Sequence, residues 1–377
     1  MSASMRLKEI LEQSTMLATP ELTAREKDNR VRCLACAHRC SILPGRSGVC
    51  RVRFNKDGDL RAPAGYVAGL QIDPIEKKPF YHAFPACDAL SFGMLGCDLH
   101  CSYCQNWISS QVLRDDRAVA RPTFVDPERL VAAAVEHKVP AMVSTYNEPL
   151  ITADWAAQIF KLAKAEGITC GFVSNGNATP EVLEYIRPYV DLYKIDLKGF
   201  DDRKYRKLGA VLESVLETIK LAKQMGFWVE VVTLVVPEFN DSDDELKSIA
   251  GFIAEVSVDI PWHVTAFHPD YKMSDPPRTP ASTLIRAHDI GKAAGLRHVY
   301  AGNLAGGVGN RESTYCPSCE KLLIKRRGFI VEENRMKSSA CPFCEEPIAG
   351  VWQEDPPTCT GGMGIPLPVT IPESPCG

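Results

Sequence analysis

The sequence predicts a partial (β/α)6 TIM-type barrel with a cysteine-rich segment before it and a four-cysteine module behind it. Six short apolar, β-branched runs alternate with longer segments of helical pattern, which requires a parallel sheet with helical crossovers. No Gly-x-Gly-x-x-Gly turn follows the first run, so a dinucleotide-binding doubly wound sheet has no support and the barrel is preferred. Most of the 15 cysteines gather in three groups, one at the end of the first run and one on each flank.

The strand candidates are residues 89–95, 141–146, 168–174, 190–197, 227–236 and 262–268, with a possible seventh at 298–302. Helix starts are marked by Asp126 before Pro127, by Thr179 before Pro180, and by Ser242 three residues ahead of Glu245, a capping-box spacing. The helix after Thr152 is expected to stop at Gly167. In such barrels chemistry sits where strands end and loops begin, so the residues just after each run are the site candidates. The expected organisation is a cysteine-rich metal-binding segment over 1–85, the barrel over 86–312, a metal module over 313–354, and a flexible Pro-, Gly- and Thr-rich tail over 355–377.

With 377 residues the chain holds about two or three domains, and 45% hydrophobic with 24% charged residues is the balance of a globular protein. No apolar run is long enough to span a bilayer. The 43 basic and 47 acidic residues leave a net charge of -4, which offers no bulk attraction to nucleic acid or anionic membranes. Residues 1–11 lack the pattern of a secretory leader, so a cytoplasmic location is expected, where thiols stay reduced and grouped cysteines mean metal or redox chemistry.

Cys97, Cys101 and Cys104 follow the first run directly, after Gly96. Three thiolates hold three irons of a [4Fe-4S] cubane and leave the fourth open to bind a substrate or cofactor. The alternatives are a zinc site borrowing His100, or buried structural thiols. The first-flank group, Cys33, Cys36, Cys40 and Cys50, has four thiols within 18 positions and closes a coordination sphere, so it is structural or an electron relay, holding zinc or a second iron-sulfur cluster; His38 offers a substitute ligand. The last group, Cys316-Pro-Ser-Cys319 and Cys341-Pro-Phe-Cys344, forms two knuckles of a zinc-ribbon or rubredoxin-like site for zinc or iron. Glu320 and Glu345 stand after the knuckles where glycine would relax the turn. The run Lys325, Arg326, Arg327 lacks interleaved aromatics and is read as a solvated edge rather than a nucleic-acid surface.

Cys97, Cys101, Tyr103 and Cys104 match C-x-x-x-C-x-aromatic-C, and here the chain resembles the radical S-adenosylmethionine superfamily. Further segments extend the resemblance over residues 33–315: Asp73-Pro74-Ile75-Glu76-Lys77-Lys78-Pro79, the run from Gly96 to Trp107, Thr145-Tyr146-Asn147-Glu148-Pro149, Lys194-Ile195-Asp196-Leu197-Lys198, and Phe267-His268-Pro269-Asp270-Tyr271-Lys272-Met273. Together they look like the AmmeMemoRadiSam-system radical enzyme, similar to pyruvate formate-lyase activating enzymes. The resemblance implies a [4Fe-4S] cluster on which S-adenosylmethionine is cleaved to a 5'-deoxyadenosyl radical that abstracts hydrogen from a substrate.

It also implies that Tyr146, Asn147, Glu148, Ser174, Asn175, Asp196, Lys198 and His268 line the cofactor. Tyr146 and Asn147 replace the glycines of the superfamily's Gly-Gly-Glu-like segment; Glu148 would meet the amino group, Lys198 the carboxylate, and His268 the ribose or adenine side. No catalytic residue is assigned beyond the cluster, and Asp270, Tyr271 and Lys272 are read as a buried ion pair at the barrel mouth. The implied partners are a flavodoxin- or ferredoxin-type electron donor and Memo-like and AMMECR-type proteins. A glycyl-radical activase is the alternative activity, and a zinc-ribbon binding protein without catalysis is the alternative class. An RNA-modifying radical enzyme is disfavoured by the net charge.

Overall fold

The computed structural model describes residues 7, 9, 11–115, 117–118, 120–336, 338–352, 366–369 and 371. Its centre is a sheet containing β1 (Gly69–Pro74), β2 (Asp88–Gly93), β3 (Ala141–Ser144), β4 (Thr169–Ser174), β5 (Leu192–Asp196), β6 (Trp228–Val235), β7 (Trp262–Ala266) and β8 (Val299–Gly302). Strands β2 to β8 are parallel and each lies beside its predecessor, while β1 pairs antiparallel with β2. Right-handed crossovers between successive neighbours put all the connecting helices on one face and leave the other concave. β8 bonds to β7 and not to β1 or β2 among the described residues, so the barrel stays open, as the sequence predicts. The six strand candidates and the seventh are all present. β1 had no counterpart among the candidates; it joins the main sheet from within the stretch assigned to the N-terminal segment.

The helices on the outer face are α1 (Pro127–Glu136), α2 (Ala153–Ala165), α3 (Pro180–Ile186), α4 (Asp202–Leu208), α5 (Leu212–Gln224), α6 (Asp243–Val256) and α7 (Ala281–Ala293). Their starts follow the predicted chemistry: Asp126 accepts from Arg129 N, Thr179 from Val182 N, and Ser242 from Glu245 N. The reciprocal half of the α6 capping box is not made. Glu245 instead accepts from Phe200 N at 2.6 Å and pairs with Lys204 Nζ at 2.8 Å, fastening α6 to the loop after β5. α6 buries Leu246, Ile249, Ala250 and Ile253, an i, i+3, i+4, i+7 stripe that faces the sheet.

Residues 75–87, between β1 and β2, plug the concave face, where Ile75, Phe80, Ala83 and Phe84 pack on Ala89, Ala141, Val143 and Leu192. A buried carboxylate holds the plug: Glu230 on β6 accepts from Tyr81 N at 3.0 Å, His82 N at 2.9 Å and Trp228 Nε1 at 3.0 Å, and lies 2.6 Å from His263 Nε2. Burial opposes its ionisation, but these partners, led by His263, hold its carboxyl below the usual range.

The N-terminal cysteine-rich segment carries two small antiparallel sheets, one of Thr15–Leu17, Asp59–Pro63 and Phe54–Lys56, the other of Thr23–Arg25, Val31–Cys33 and Ser41–Ile42. Arg53 and Asp154, both fully buried, pair to tie this region to α2, and Asp154 also accepts from Thr19 N at 2.7 Å.

Behind the barrel, β9 (Thr314–Tyr315), β10 (Leu322–Arg327) and β11 (Ile330–Asn334) form an antiparallel sheet. Arg326 is not on a solvated edge. It is buried, 3.5 Å from Glu76 Oε1, with Nη1 donating to Thr314 Oγ1 at 2.7 Å, Nη2 to Tyr81 O at 2.8 Å, and the guanidinium 4.4 Å from the Tyr81 ring centre. Lys325 and Arg327 are exposed. The tail expected to be flexible lies outside the described residues except for 366–369 and 371; there β12 (Leu367–Pro368) pairs antiparallel with β1. Among the described residues no helix is long and apolar enough to cross a membrane.

Asp154→Ala leaves the Arg53 guanidinium buried without its counter-charge and is expected to cost about 3–5 kcal/mol, read as a lowered urea midpoint. The paired change Arg53→Met with Asp154→Leu should recover most of that loss.

Candidate active site

Two glycines aim the central cysteine loop. A Cβ at Gly93, the last residue of β2, would meet Thr145 O at 2.3 Å, so the β2 and β3 ends approach only because the side chain is missing. Gly96 has φ +90°, which favours glycine, and a Cβ there would lie 2.7 Å from Val52 Cγ1 of the N-terminal region. The loop then carries Cys97, Cys101 and Cys104 as free thiols and closes with a single helical turn at Trp107–Ser110. Leu99 N donates to Cys97 Sγ at 3.4 Å, and Ser110 Oγ lies 3.2 Å from Cys104 Sγ. Burial pushes the Cys101 thiol up to about 12 against the pull of nearby Lys198, so this group holds a proton until a metal displaces it.

Neither alternative ligand is available in the expected way. His100 is exposed and packs against Gly209, and His38 places Nε2 3.2 Å from Asp98 O. With neither histidine placed as a fourth ligand, the three thiols of this loop fit a cubane with one open iron.

Beneath Cys97 lies a buried polar network. Asp98, fully buried, accepts from Asn175 Nδ2 and Asn177 Nδ2, each at 2.8 Å. Glu148 accepts from Ser174 Oγ at 2.7 Å, Asn175 N at 2.7 Å and Leu150 N at 3.2 Å. Burial first, and then the charge of Asp98, raises the Glu148 carboxyl to about 8 despite those three donors. Glu148, Ser174 and Asn175 therefore spend their polar atoms on each other and on the cysteine loop. Asn147 does likewise, its Oδ1 accepting from Met94 N at 2.9 Å.

A cavity of ≈ 370 Å³ opens at the strand ends, and Cys101 and Cys104 line its mouth. Its wall uses every second residue of the inner face: Lys194 and Asp196 on β5, Val232 and Leu234 on β6, His263 and Thr265 on β7, Tyr300 and Gly302 on β8. Asp196 bonds Lys194 and Lys198, the latter at 2.9 Å; the two ammoniums overcome burial and hold Asp196 down to about 2. Tyr146 also lines the cavity, with φ +71° where the resemblance gives a glycine, and its hydroxyl donates to Gln71 Oε1 at 3.0 Å.

Of the residues expected at the cofactor, Tyr146, Asp196 and Lys198 line this cavity; Asn147, Glu148, Ser174 and Asn175 lie behind its wall; and His268 is exposed beyond it. Asp270, Tyr271 and Lys272 do not form a buried ion pair. Tyr271 stacks on Trp107 at 5.2 Å, Asp270 Oδ1 accepts from Trp107 Nε1 at 3.2 Å, and exposed Lys272 stands 3.8 Å from Asp115, so the segment clasps the cysteine loop. Asp98, His263, Tyr300 and Glu230 were missed as site residues. Their signal is the every-second-residue spacing for the last three, and none exists for Asp98.

Of the flanking cysteines among the described residues, only the last group comes within single-ion distance; those of the first group influence one another more loosely. Burial raises the Cys36, Cys40 and Cys50 thiols, and Cys33 adds to the shift of all three. This region touches the central loop, with His38 Nε2 3.2 Å from Asp98 O and Asp98 acting on Cys36, and it reaches the end of β4, where Ala37 N donates to Asn177 O at 2.9 Å. In the last module the Sγ atoms of Cys316, Cys319, Cys341 and Cys344 all lie within 4.8 Å of one another, two pairs at 3.5 and 3.7 Å. Metal–sulfur bonds of about 2.3 Å in a tetrahedron set sulfurs about 3.8 Å apart, so one ion fits. Glu320 (φ 58°) and Glu345 (φ 63°) adopt the left-handed turn that glycine would relax. One cysteine outside the groups, Cys87, is disulfide-bonded rather than free.

Comparison with known proteins gives four findings. The family described as Radical SAM superfamily matches residues 93–250. An uncharacterized protein of Methanocaldococcus jannaschii is 39% identical over 325 residues, covering 85% of this chain and 96% of that protein. A pyruvate formate-lyase-activating enzyme of Clostridium pasteurianum is 24% identical over 198 residues, covering 48% of this chain and 80% of the other. Among solved structures, Streptococcus suis SuiB bound to S-adenosylmethionine aligns with TM-score 0.45 and 15% identity over 59% of this chain and 51% of that one.

Glu148 binds its proton more tightly folded than at its ordinary 4.5, so in metal-free protein its contribution to stability falls as pH rises from about 4.5 to about 8. Glu148→Gln should flatten that part of a stability-against-pH curve. Cys341→Ser should remove one metal ion per chain from the last module by elemental analysis, with the iron content of the central loop retained.

Proposed function

Because the chain belongs to the Radical SAM superfamily, we propose that this enzyme binds a [4Fe-4S] cluster on Cys97, Cys101 and Cys104 and S-adenosylmethionine in the adjoining cavity. One observation carries the reading: Cys101 and Cys104 of the three-thiol loop line a cavity that Lys198 and Asp196 line as well. Held by Cys97, Cys101 and Cys104, such a cluster would supply the electron for reductive cleavage of S-adenosylmethionine, the chemistry by which hydrogen would be taken from the substrate.

The chain's own residues do the rest. Lys198, held by Asp196, presents an ammonium to the carboxylate of S-adenosylmethionine. Glu148, Ser174 and Asn175 act as positioning residues, bracing Asp98 and the Cys97 turn. Residues 77–79 and Phe329 of the C-terminal module wall the cavity, which supports a small-molecule substrate. Electrons come from a flavodoxin- or ferredoxin-type donor, and the four-thiol site at Cys33, Cys36, Cys40 and Cys50, in contact with the central loop, holds a further metal or cluster on that side. The C-terminal thiols hold one zinc or iron ion as a staple. The motif set supports an AmmeMemoRadiSam-type enzyme acting with Memo-like and AMMECR-type partners. A cytoplasmic setting is part of this reading, in which the three thiol groups hold metal. The likeness to a pyruvate formate-lyase-activating enzyme favours glycyl-radical activation as the second reading, distinguished by a glycyl-radical signal on a partner protein.

After anaerobic iron-sulfur reconstitution and reduction with S-adenosylmethionine, the parent should release 5'-deoxyadenosine and Cys101→Ala should fall to background. Lys198→Met should raise the S-adenosylmethionine needed for half-maximal release about tenfold, the equivalent of one charge-assisted hydrogen bond. A parent that retains only zinc and releases none contradicts the reading.

A further inference from the structure

The cavity holds two cationic pairs, and cofactor binding accounts for one. Lys194 and Lys198 share Asp196 beside the cysteines, and Lys198 interacts with Cys101. Lys77 and Lys78 share Asp73 from the loop that ends β1: Lys77 Nζ lies 3.1 Å from Asp73, and Lys78 Nζ lies 2.7 Å from it. Asp73 is buried and also accepts from Ser91 Oγ at 3.1 Å, so its carboxylate is fully committed. Lys78 is buried too, 3.3 Å from the Tyr146 hydroxyl and 5.0 Å from the Tyr146 ring centre. Glu76, which also lines the cavity, is matched by Arg326, so the two ammoniums against the Asp73 carboxylate leave a charge of +1 here. A cation half-withdrawn from water with no counter-charge is costly, and the open side of the pair is the cavity.

We propose that Lys77 and Lys78, with the Tyr146 ring beside them, form a substrate subsite for the carboxylate of a small organic acid. The inference rests on the radical-enzyme reading only in giving the Lys198 side to S-adenosylmethionine. The charge count selects the anion: a monoanionic carboxylate neutralises +1, whereas a phosphate dianion leaves an excess negative charge in a partly buried site. Phe329 and Tyr146, which both line the cavity, offer apolar surface to the body of such an acid. Burial lowers the Lys78 ammonium to about 8 despite Asp73, so near neutral pH it remains mostly charged and able to bind an anion.

The test titrates the reconstituted enzyme, loaded with S-adenosylmethionine, with benzoate, with benzamide as the uncharged isostere, and with inorganic phosphate. Benzoate should saturate at least about tenfold more tightly than benzamide or phosphate. The benzoate-to-benzamide preference should collapse toward one in Lys78→Gln and in Lys77→Gln; the second replaces a partly exposed side chain and guards against misfolding of the first. The ratio is insensitive to a general loss of active protein. Equal binding of benzoate and benzamide, tighter binding of phosphate, or a preference unchanged in both variants overturns the subsite. Parent enzyme that cleaves S-adenosylmethionine yet shows no saturable benzoate binding sinks this inference alone, while parent enzyme that cleaves none sinks the reading beneath it.

Discussion

The mouth of the barrel depends on one buried carboxylate, Asp98. It sits inside the cysteine loop, directly after Cys97, where water cannot solvate it, and its cost is offset by the amides of Asn175 and Asn177 after β4. Its main-chain oxygen meets His38 from the N-terminal region. One residue therefore joins the first thiol, the end of a barrel strand and the four-thiol flank. Its charge also raises the Glu148 carboxyl, which answers by taking donors from Ser174 and Asn175. The network is satisfied group by group, which makes the loop rigid and gives the thiols fixed positions.

An open parallel sheet does not by itself make an enclosed site. Here the concave face is closed from two directions. Residues 75–87 fill its lower end, held by Glu230, and the C-terminal module covers them through Arg326, which reaches Glu76 and Tyr81 O. The same docking carries Phe329 to the cavity wall. A metal ion on Cys316, Cys319, Cys341 and Cys344 would thus shape the substrate side of the cavity without touching it.

The alternation of strands and helices was legible because parallel strands buried on both faces read as continuous apolar runs, and because Asp126, Thr179 and Ser242 cap helices by local hydrogen bonds. The three cysteine groups were legible from spacing. β1 was not, because Gly69–Pro74 carries Gln71 and Asp73 and lacks an apolar run; its pairing comes from the neighbouring edge. Arg326 read as a surface charge because nothing local reveals that Glu76, 250 residues away in sequence, waits as its partner. His268 was expected at the site from its place after β7, yet the chain turns outward there, and it is His263, inside the strand, that faces the cavity. Glu148 followed the right strand but is consumed by neighbours that only the fold brings near.

The central claim is that Cys97, Cys101 and Cys104 hold a cluster with one iron open to S-adenosylmethionine. Electron paramagnetic resonance of the reconstituted, reduced protein tests it most directly, recorded with and without S-adenosylmethionine and with the flanking cysteine groups replaced by serine. The account predicts a [4Fe-4S]+ signal that persists in the flank-substituted protein and changes shape when S-adenosylmethionine is added. A signal indifferent to S-adenosylmethionine, or one that vanishes with the flanking cysteines while Cys97, Cys101 and Cys104 remain, would contradict it.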